Sequence, residues 1–159
     1  MNGETKIQSS KVALNTQKFD FWRNTFNGIV EASFASTCLL VAIRYFGASD
    51  TAKSLLAGGG YTGFLITPIF LLFIGKSKLP VSRICSTLML LAAFCILISA
   101  TASTVSFYVG WVLVACILAV QVPSLMVHIY SENYRSDERG QKISGNLMIS
   151  AVVGSLTAL

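Results

Sequence analysis

The sequence predicts an all-α protein, a polytopic bundle of about five transmembrane helices. Hydrophobic residues make up 53% of the chain and charged residues 12%, whereas soluble domains carry about a quarter charged residues. The apolar residues form five blocks, and four of these have the roughly 17 to 25 residues that cross a bilayer. The fifth runs to the end of the chain and is expected to be a truncated span. The blocks are 26–46, 55–74, 84–102, 107–130 and 143–159.

Basic residues lie mainly on one side of this predicted bundle. Ten of the twelve Lys and Arg residues precede the first span or lie in the links after the second and fourth spans, and the link TASTVSF is uncharged. The positive-inside rule therefore places the N-terminus in the cytoplasm, with the chain in the cell membrane. The ten residues are Lys6, Lys11, Lys18, Arg23, Lys76, Lys78, Arg83, Arg135, Arg139 and Lys142.

Residues 1–23 are polar and lack the apolar core of a signal peptide. We expect them to form a loose cytoplasmic tail before a transmembrane domain, 24–159. The links between spans are too short for a soluble domain, and the link SENYRSDERGQK is the longest of them. Short links require neighbouring spans to run antiparallel. Because the last apolar run ends at Leu159 without a polar flank, we also expect the chain to be incomplete at its C-terminus.

Glu31 is the most informative charge, because it lies inside the first span. A charged residue near the centre of a membrane helix costs about 2.5 to 3.5 kcal/mol. Helical spacing places Asn27, Glu31 and Cys38 on one face, with Arg44 on the opposite face and too far along the helix to pair with Glu31. Two interpretations remain open: a carboxylate hydrated near the cytoplasmic edge, or a proton or substrate group on a transport pathway.

A second polar stripe is predicted on the fourth span, where Gln121, Ser124 and His128 are spaced by three and four residues. These side chains either bond locally near the membrane edge or line a pathway that leads inward. Asn146 in the fifth span is a further pathway candidate, whose orientation the sequence pattern does not decide. The two polar stripes together are the candidate pathway.

Glycine and proline mark candidate packing or gating positions. Gly59 and Gly63 make a small-x-x-x-small face in the second span, which favours close helix packing and also permits bending. Pro68 and Pro123 lie inside spans, where the missing backbone hydrogen bond bends a helix. Each bend is either plain architecture or a gating element.

Other functional classes lack their motifs in this sequence. The cysteines are dispersed, without the spacing of a zinc site or a disulfide framework, and are expected to be small packing residues. An enzyme is not expected, because phosphate-binding glycine loops and nucleophile elbows are missing. Neither a cofactor nor a metal is expected, and the dispersed basic residues do not form a nucleic-acid surface. The cysteines are Cys38, Cys85, Cys95 and Cys116.

The order of these features resembles the N-terminal half of a major facilitator superfamily transporter over residues 21–159. The resemblance rests on an acidic first span, the glycine-rich GGGYTGFLITP, a short basic inner loop, an uncharged outer turn and the segment YSENYRSDERGQKISGNLMISAVVGS. The inner loop IGKSKLPVSR lacks the Asp that the family usually carries there, which affects the charge contact that gates the cytoplasmic side. The residues that match the family's loop patterns are Gly75, Lys76, Lys78, Arg83, Arg135 and Arg139.

The resemblance implies two six-helix halves with a substrate cavity near the midplane of the bilayer. The chain would then supply about five helices of a secondary active transporter that moves a small solute, with a proton or another cation, by alternating access. Its partners would be the lipid bilayer, the solute and the missing C-terminal helices of the same protein. Glu31 would be a coupling or substrate-binding carboxylate. The alternative is a small oligomerising membrane protein that acts as a scaffold or channel subunit.

Overall fold

The computed structural model consists of α-helices and describes residues 3–158, with side chains from Lys11 onward except that of Ala35. No strand occurs among these residues, so the predicted all-α fold is confirmed for them. Met1, Asn2 and Leu159, which the predicted tail and fifth span include, lie outside the described residues. The elements are α1 (Gly3–Ala32), a π-helix (Ser33–Cys38), α2 (Leu39–Arg44), α3 (Asp50–Ile74), α4 (Val81–Ser99), α5 (Val105–Asn133) and α6 (Ser136–Thr157).

The chain divides into two compact units. The first, which we call the terminal unit, contains Met1–Ser33 and Ile129–Leu159, so it joins α1 to the end of α5 and to α6. The second, the central unit, is Phe34–His128, with the π-helix after Ser33, α2, α3, α4 and most of α5. Each unit has its own packing contacts and its own buried polar groups, and the two are described separately.

Four of the described helices are long and apolar enough to cross a membrane, judged by length and composition. They are the continuous run Lys11–Arg44 and the helices α3, α4 and α5. The four complete spans predicted from the sequence therefore correspond to membrane-compatible helices. The predicted fifth span covers residues 143–157 of α6, a helix of 22 residues that is not among the four. Its first turns carry Asp137, Glu138 and Arg139, which lower its overall hydropathy.

The segment expected to be a loose tail is helical from Gly3, where α1 begins. After Gly3 the tail contains neither glycine nor proline, and its Lys, Gln, Ala and Leu residues are good helix formers. Tertiary contacts also hold the helix, since Asp20 and Asn24 are buried in the terminal unit. The predicted boundary at residue 23 therefore falls inside a helix, and the expectation of a loose tail was wrong.

The link between the fourth and fifth spans is also shorter than predicted, because only Tyr134 and Arg135 separate α5 from α6. Arg139 donates hydrogen bonds to carbonyl oxygens at the end of α5. Its Nη2 lies 3.1 Å from the oxygen of Ser131 and 3.3 Å from the oxygen of Tyr134. Asp137 lies in the first turn of α6, where the helix dipole favours negative charge. Arg139 at the end of α5 and Asp137 at the start of α6 thus favour helix in residues that the sequence placed in the link.

The π-helix changes the predicted facing of the first span. Its backbone bonds run from residue i to i+5, so each turn takes up about one residue more than an α-helical turn. Cys38 at its end therefore no longer follows the α-helical spacing that placed it beside Asn27 and Glu31. In the central unit the carbonyl oxygen of Cys38 accepts a hydrogen bond of 3.0 Å from the Tyr108 hydroxyl on α5.

Small residues set the packing of the central unit. A Cβ at Gly59 would lie 2.9 Å from Leu113 Cδ2, and a Cβ at Gly63 would lie 3.2 Å from Val120 Cβ. Both glycines therefore lie close to α5, the helix that carries Leu113 and Val120. Gly58 and Gly60, on either side of Gly59, have no neighbour within 4 Å of the equivalent position.

In the terminal unit, α1 and α6 make a backbone-to-backbone approach. A Cβ at Gly28 would collide with the carbonyl oxygen of Ser150, and a Cβ at Gly154 would lie 3.1 Å from the carbonyl oxygen of Gly28. Glycine on both helices permits this separation. The approach brings polar side chains of α1 next to those of α6, where the candidate site lies.

Candidate functional site

A buried carboxylate, Asp20 on α1, is the centre of the polar contacts in the terminal unit. Its side chain is only 2% exposed. The Tyr130 hydroxyl on α5 lies 2.9 Å from Oδ1 and 2.8 Å from Oδ2, and Arg23 Nε donates to Oδ1 at 2.8 Å. The amide of Asn146 on α6 donates to Oδ2. Three helices therefore hold one carboxylate, and we call Asp20, Arg23, Tyr130 and Asn146 the Asp20 cluster.

The hydrogen bonds of this cluster form a closed arrangement. Arg23 Nη2 donates to the Tyr130 oxygen at 2.8 Å, while the Tyr130 hydroxyl donates to the carboxylate. Asn24, the next residue, donates from Nδ2 to the backbone oxygen of Asp20 at 2.8 Å. Desolvating an ion costs several kcal/mol unless a counter-ion and hydrogen bonds satisfy it. Arg23, whose side chain is 28% exposed, supplies the counter-ion.

Tyr134 borders the cluster from the link after α5. The Tyr134 ring stacks on the Tyr130 ring with the centroids 5.6 Å apart. Lys142 Nζ lies 5.1 Å from the centroid of the Tyr134 ring. Burial raises the pKa of Tyr134 to about 12, with the nearby Asp20 charge adding to the rise and Arg23 opposing it. Its hydroxyl is buried and has no hydrogen-bond partner among the described residues. Tyr134 is therefore uncharged at physiological pH and packs against the Asp20 cluster.

The Asp20 cluster begins a longer row of polar side chains on α1. Asp20, Asn24, Asn27 and Glu31 are spaced by four, three and four residues, so they share one helix face. We call these four residues the polar track. Asn27 Nδ2 donates to Glu31 Oε1 at 2.7 Å, while the end of the track at Glu31 is exposed on the surface of the chain. Asp20 and Glu31 lie roughly 16 Å apart along the helix axis.

Glu31 and Asn146, two of the sequence-predicted pathway residues, thus belong to one unit and have defined partners. Glu31 pairs with Asn27 on its own helix, as the shared face predicted. Asn146, whose orientation the sequence left open, is buried against Asp20.

Gln121 and His128, two further predicted pathway residues, belong to the central unit and differ in their surroundings. Gln121 is 2% exposed, and its Nε2 donates to the carbonyl oxygens of Gly63 and Ile117, both at 3.0 Å. Its Oε1 is buried without a hydrogen-bond partner among the described residues. His128 is exposed. The stripe predicted on α5 therefore runs from a buried amide to an exposed imidazole.

The predicted gating and loop residues are mostly at the surface. Pro68 and Pro123 are exposed, and α3 and α5 each continue past their proline. Lys76 and Lys78 are exposed in the link between α3 and α4.

Each of the three predicted loop arginines has a local environment of its own. Arg83 lines an open depression of about 410 Å³ with Ser86 and Leu90. Arg135 pairs with Asp137 at 3.0 Å, and Arg139 caps α5 as described above.

The sequence reasoning missed Asp20, Arg23 and Tyr130. A signal for Asp20 was present, since it continues the spacing of Asn27 and Glu31 backward by one helical repeat of seven. Its partners are 110 and 126 residues away in the chain, and helical periodicity carries no information about contacts of that range. Arg23 was counted among the cytoplasmic basic residues, although it is the counter-ion of the buried carboxylate.

Among the described residues, no group of three or more His, Cys, Asp or Glu side chains is arranged to hold a metal ion. Chemically, the terminal unit offers two carboxyl groups on one helix, the buried Asp20 and the exposed Glu31. Comparisons with protein-family models, with curated proteins and with solved structures find no match to this chain. The resemblance to the major facilitator superfamily rests on the sequence features alone.

Proposed function

We propose that this chain is part of a secondary active transporter of a small solute, in which the polar track of α1 takes up and releases a proton or another cation. The observation that carries the proposal is the track itself, with a buried carboxylate at one end and an accessible carboxylate at the other. Ionisable residues in membrane helices are costly and commonly mark ion or substrate pathways. Four helices that are compatible with membrane spans support the same class of protein.

The two carboxylates suit different steps of such a cycle. Asp20 accepts hydrogen bonds from Tyr130, Arg23 and Asn146, so donors on three helices fix its position. Glu31 has the single amide of Asn27 as its described hydrogen-bond partner and is exposed, so it is the accessible end at which a cation or proton binds first. Further helices of the full-length protein would cover Glu31 and enclose the solute, as the family resemblance implies.

The test uses the full-length protein in vesicles that contain a pH-sensitive dye, with a panel of solutes supplied outside. Glu31→Gln keeps the shape and the hydrogen bond to Asn27 but removes the titrating group. We expect this variant to lose solute-dependent proton uptake and proton-driven accumulation, while exchange of labelled solute continues. Asp50→Asn is the matched control, because Asp50 is an exposed carboxylate on α3 whose described ion pair is with Lys53. Undiminished accumulation in Glu31→Gln would contradict the proposal.

The limited burial of the helices also fits the alternative, a scaffold or channel subunit. Of the most apolar window of α3, 17% is buried within the chain, so most of this helix faces either lipid or other helices. Those helices belong to the same protein in a transporter and to further copies in an oligomer. An ion leak in the vesicles that needs no solute would favour the oligomer.

A further inference from the structure

The face of α1 opposite the polar track is basic at one end and aromatic at the other. Lys11, Lys18, Trp22 and Phe26 are separated by seven, four and four residues, which places them on one side of the helix. All four are exposed, and the side chains of Trp22 and Phe26 are each 60% exposed. The opposite side of the same helix holds the buried Asp20 and Asn24. The packing of α1 within the terminal unit therefore leaves these four side chains exposed.

The aromatic end is a group of rings in mutual contact. Trp22 and Phe26 stack with their centroids 6.3 Å apart, and Phe21 meets Trp22 edge to face at 5.8 Å. Large exposed rings at the start of a membrane span are typical of the boundary between headgroups and acyl chains. The rise of an α-helix places Lys18 and Phe26 roughly 6 Å to either side of Trp22 along the axis. This spacing matches the step from the headgroup layer to the upper acyl chains.

Lys11 and Lys18, at the basic end of this face, have no exposed carboxylate beside them in residues 11–26. Between Lys11 and Phe26 the only acidic residue is Asp20, and its charge is buried and bound to Arg23 and Tyr130 on the other side of the helix. The exposed face therefore presents positive charge with no nearby negative charge in this stretch. A partner that complements it must carry anionic groups beside an apolar surface.

We propose that this face of α1, formed by Lys11, Lys18, Trp22 and Phe26, binds anionic phospholipids. The lysine ammonium groups contact the headgroup charges, and the Trp22 and Phe26 rings lie among the upper parts of the acyl chains. Each lysine near an anionic surface strengthens attraction roughly fivefold. Lipid selection by this face does not depend on the transport proposal, because it concerns the outer surface of α1 and not the polar track.

The experiment measures which lipid lies beside Trp22. The chain has two tryptophans, so Trp111→Phe leaves Trp22 as the only indole. The complete chain is reconstituted in vesicles of phosphatidylcholine with a minor share of phosphatidylserine, and bromine is placed on the acyl chains of either lipid. Bromine quenches indole fluorescence at contact. We expect brominated phosphatidylserine to quench Trp22 several times more strongly, per molecule, than brominated phosphatidylcholine.

Matched variants separate lysine-driven selection from a general attraction. Lys11→Gln with Lys18→Gln should bring the two lipids to equal quenching, as should high salt. Lys76→Gln with Lys78→Gln removes the same charge from exposed residues elsewhere and should leave the preference intact. The proposal would be overturned if the two brominated lipids quenched Trp22 equally in the protein that retains Lys11 and Lys18, or if Trp22 were not quenched at all. It would also be overturned if the preference for phosphatidylserine survived the loss of both lysines.

Discussion

At the scale of the residue, the Asp20 cluster shows how a membrane-compatible chain keeps a buried carboxylate. One tyrosine hydroxyl bridges both carboxylate oxygens while it accepts from the arginine. Asn146 adds a neutral donor from another helix. Removing one member of such an arrangement leaves the others desolvated and unsatisfied, which costs more than the hydrogen bond itself contributes. The cluster therefore links α1, α5 and α6 through side-chain chemistry as well as through packing.

Two stacked tyrosines test this interpretation. Tyr130→Phe removes a hydroxyl bound to a charged group, and we expect it to lower the free energy of unfolding by about 1.5 to 3 kcal/mol. Tyr134→Phe removes a buried hydroxyl that has no partner among the described residues, so we expect it to be neutral or stabilising. Thermal unfolding of both variants in the same detergent provides the comparison. Equal shifts in Tm for the two variants would show that the Asp20 contacts of Tyr130 contribute nothing measurable.

At the scale of the element, the separation of α1 and α6 is set by backbone atoms. A side chain can rotate away from a new methyl group, but the Ser150 carbonyl that faces Gly28 belongs to a helix and cannot. Overpacking of this kind commonly costs about 1 to 3 kcal/mol. The same approach positions Asn146 against Asp20, so helix separation and the polar contacts of the cluster are coupled.

A series of glycine substitutions measures that coupling. We expect Gly28→Ala to destabilise most, Gly154→Ala to destabilise less, and Gly145→Ala to be neutral or stabilising. Gly145 is the matched control, because it lies on α6 with no neighbour within 4 Å of the added Cβ, and alanine favours the helix by up to about 1 kcal/mol. Thermal unfolding and the yield of monodisperse protein are the measurements. A Gly28→Ala variant as stable as Gly145→Ala would rule out the close approach.

At the scale of the whole molecule, the sequence predicted the features that depend on local composition. Hydropathy over about 20 residues identified the four helices that are long and apolar enough to cross a membrane, because this compatibility depends on consecutive apolar residues. The glycine face at Gly59 and Gly63 was predicted for a similar reason, since its spacing on one helix indicates packing whatever the partner. Asn27 and Glu31 were placed together by one helical turn.

Features that do not follow from the α-helical pattern of the sequence were not predicted. Arg139 reaches back to the carbonyl oxygens at the end of α5, and this capping removes most of a link that looked like a loop. The π-helix shifts Cys38 off its expected face, although nothing in Ser33–Cys38 marks it in the sequence. Asp20 was not singled out in the sequence, since burial is a property of the folded unit and its partners Tyr130 and Asn146 lie on α5 and α6.

The orientation of the chain is the broadest prediction, and it follows from the distribution of charge. We replace the four native cysteines and introduce single cysteines at exposed positions: Thr51 and Ser103 in the predicted outer links, and Ser82 at the start of α4 beside the predicted inner link. We choose Thr51 for the first outer link and leave Ser49 in place, because the Ser49 side chain accepts a hydrogen bond from the Ala52 amide and caps α3. A membrane-impermeant thiol reagent added outside cells should label the first two positions, and Ser82 should react only after the membrane is opened. Ten of twelve basic residues lie on the predicted inner side, so labelling of Ser82 alone would mean that charge placement does not orient this chain.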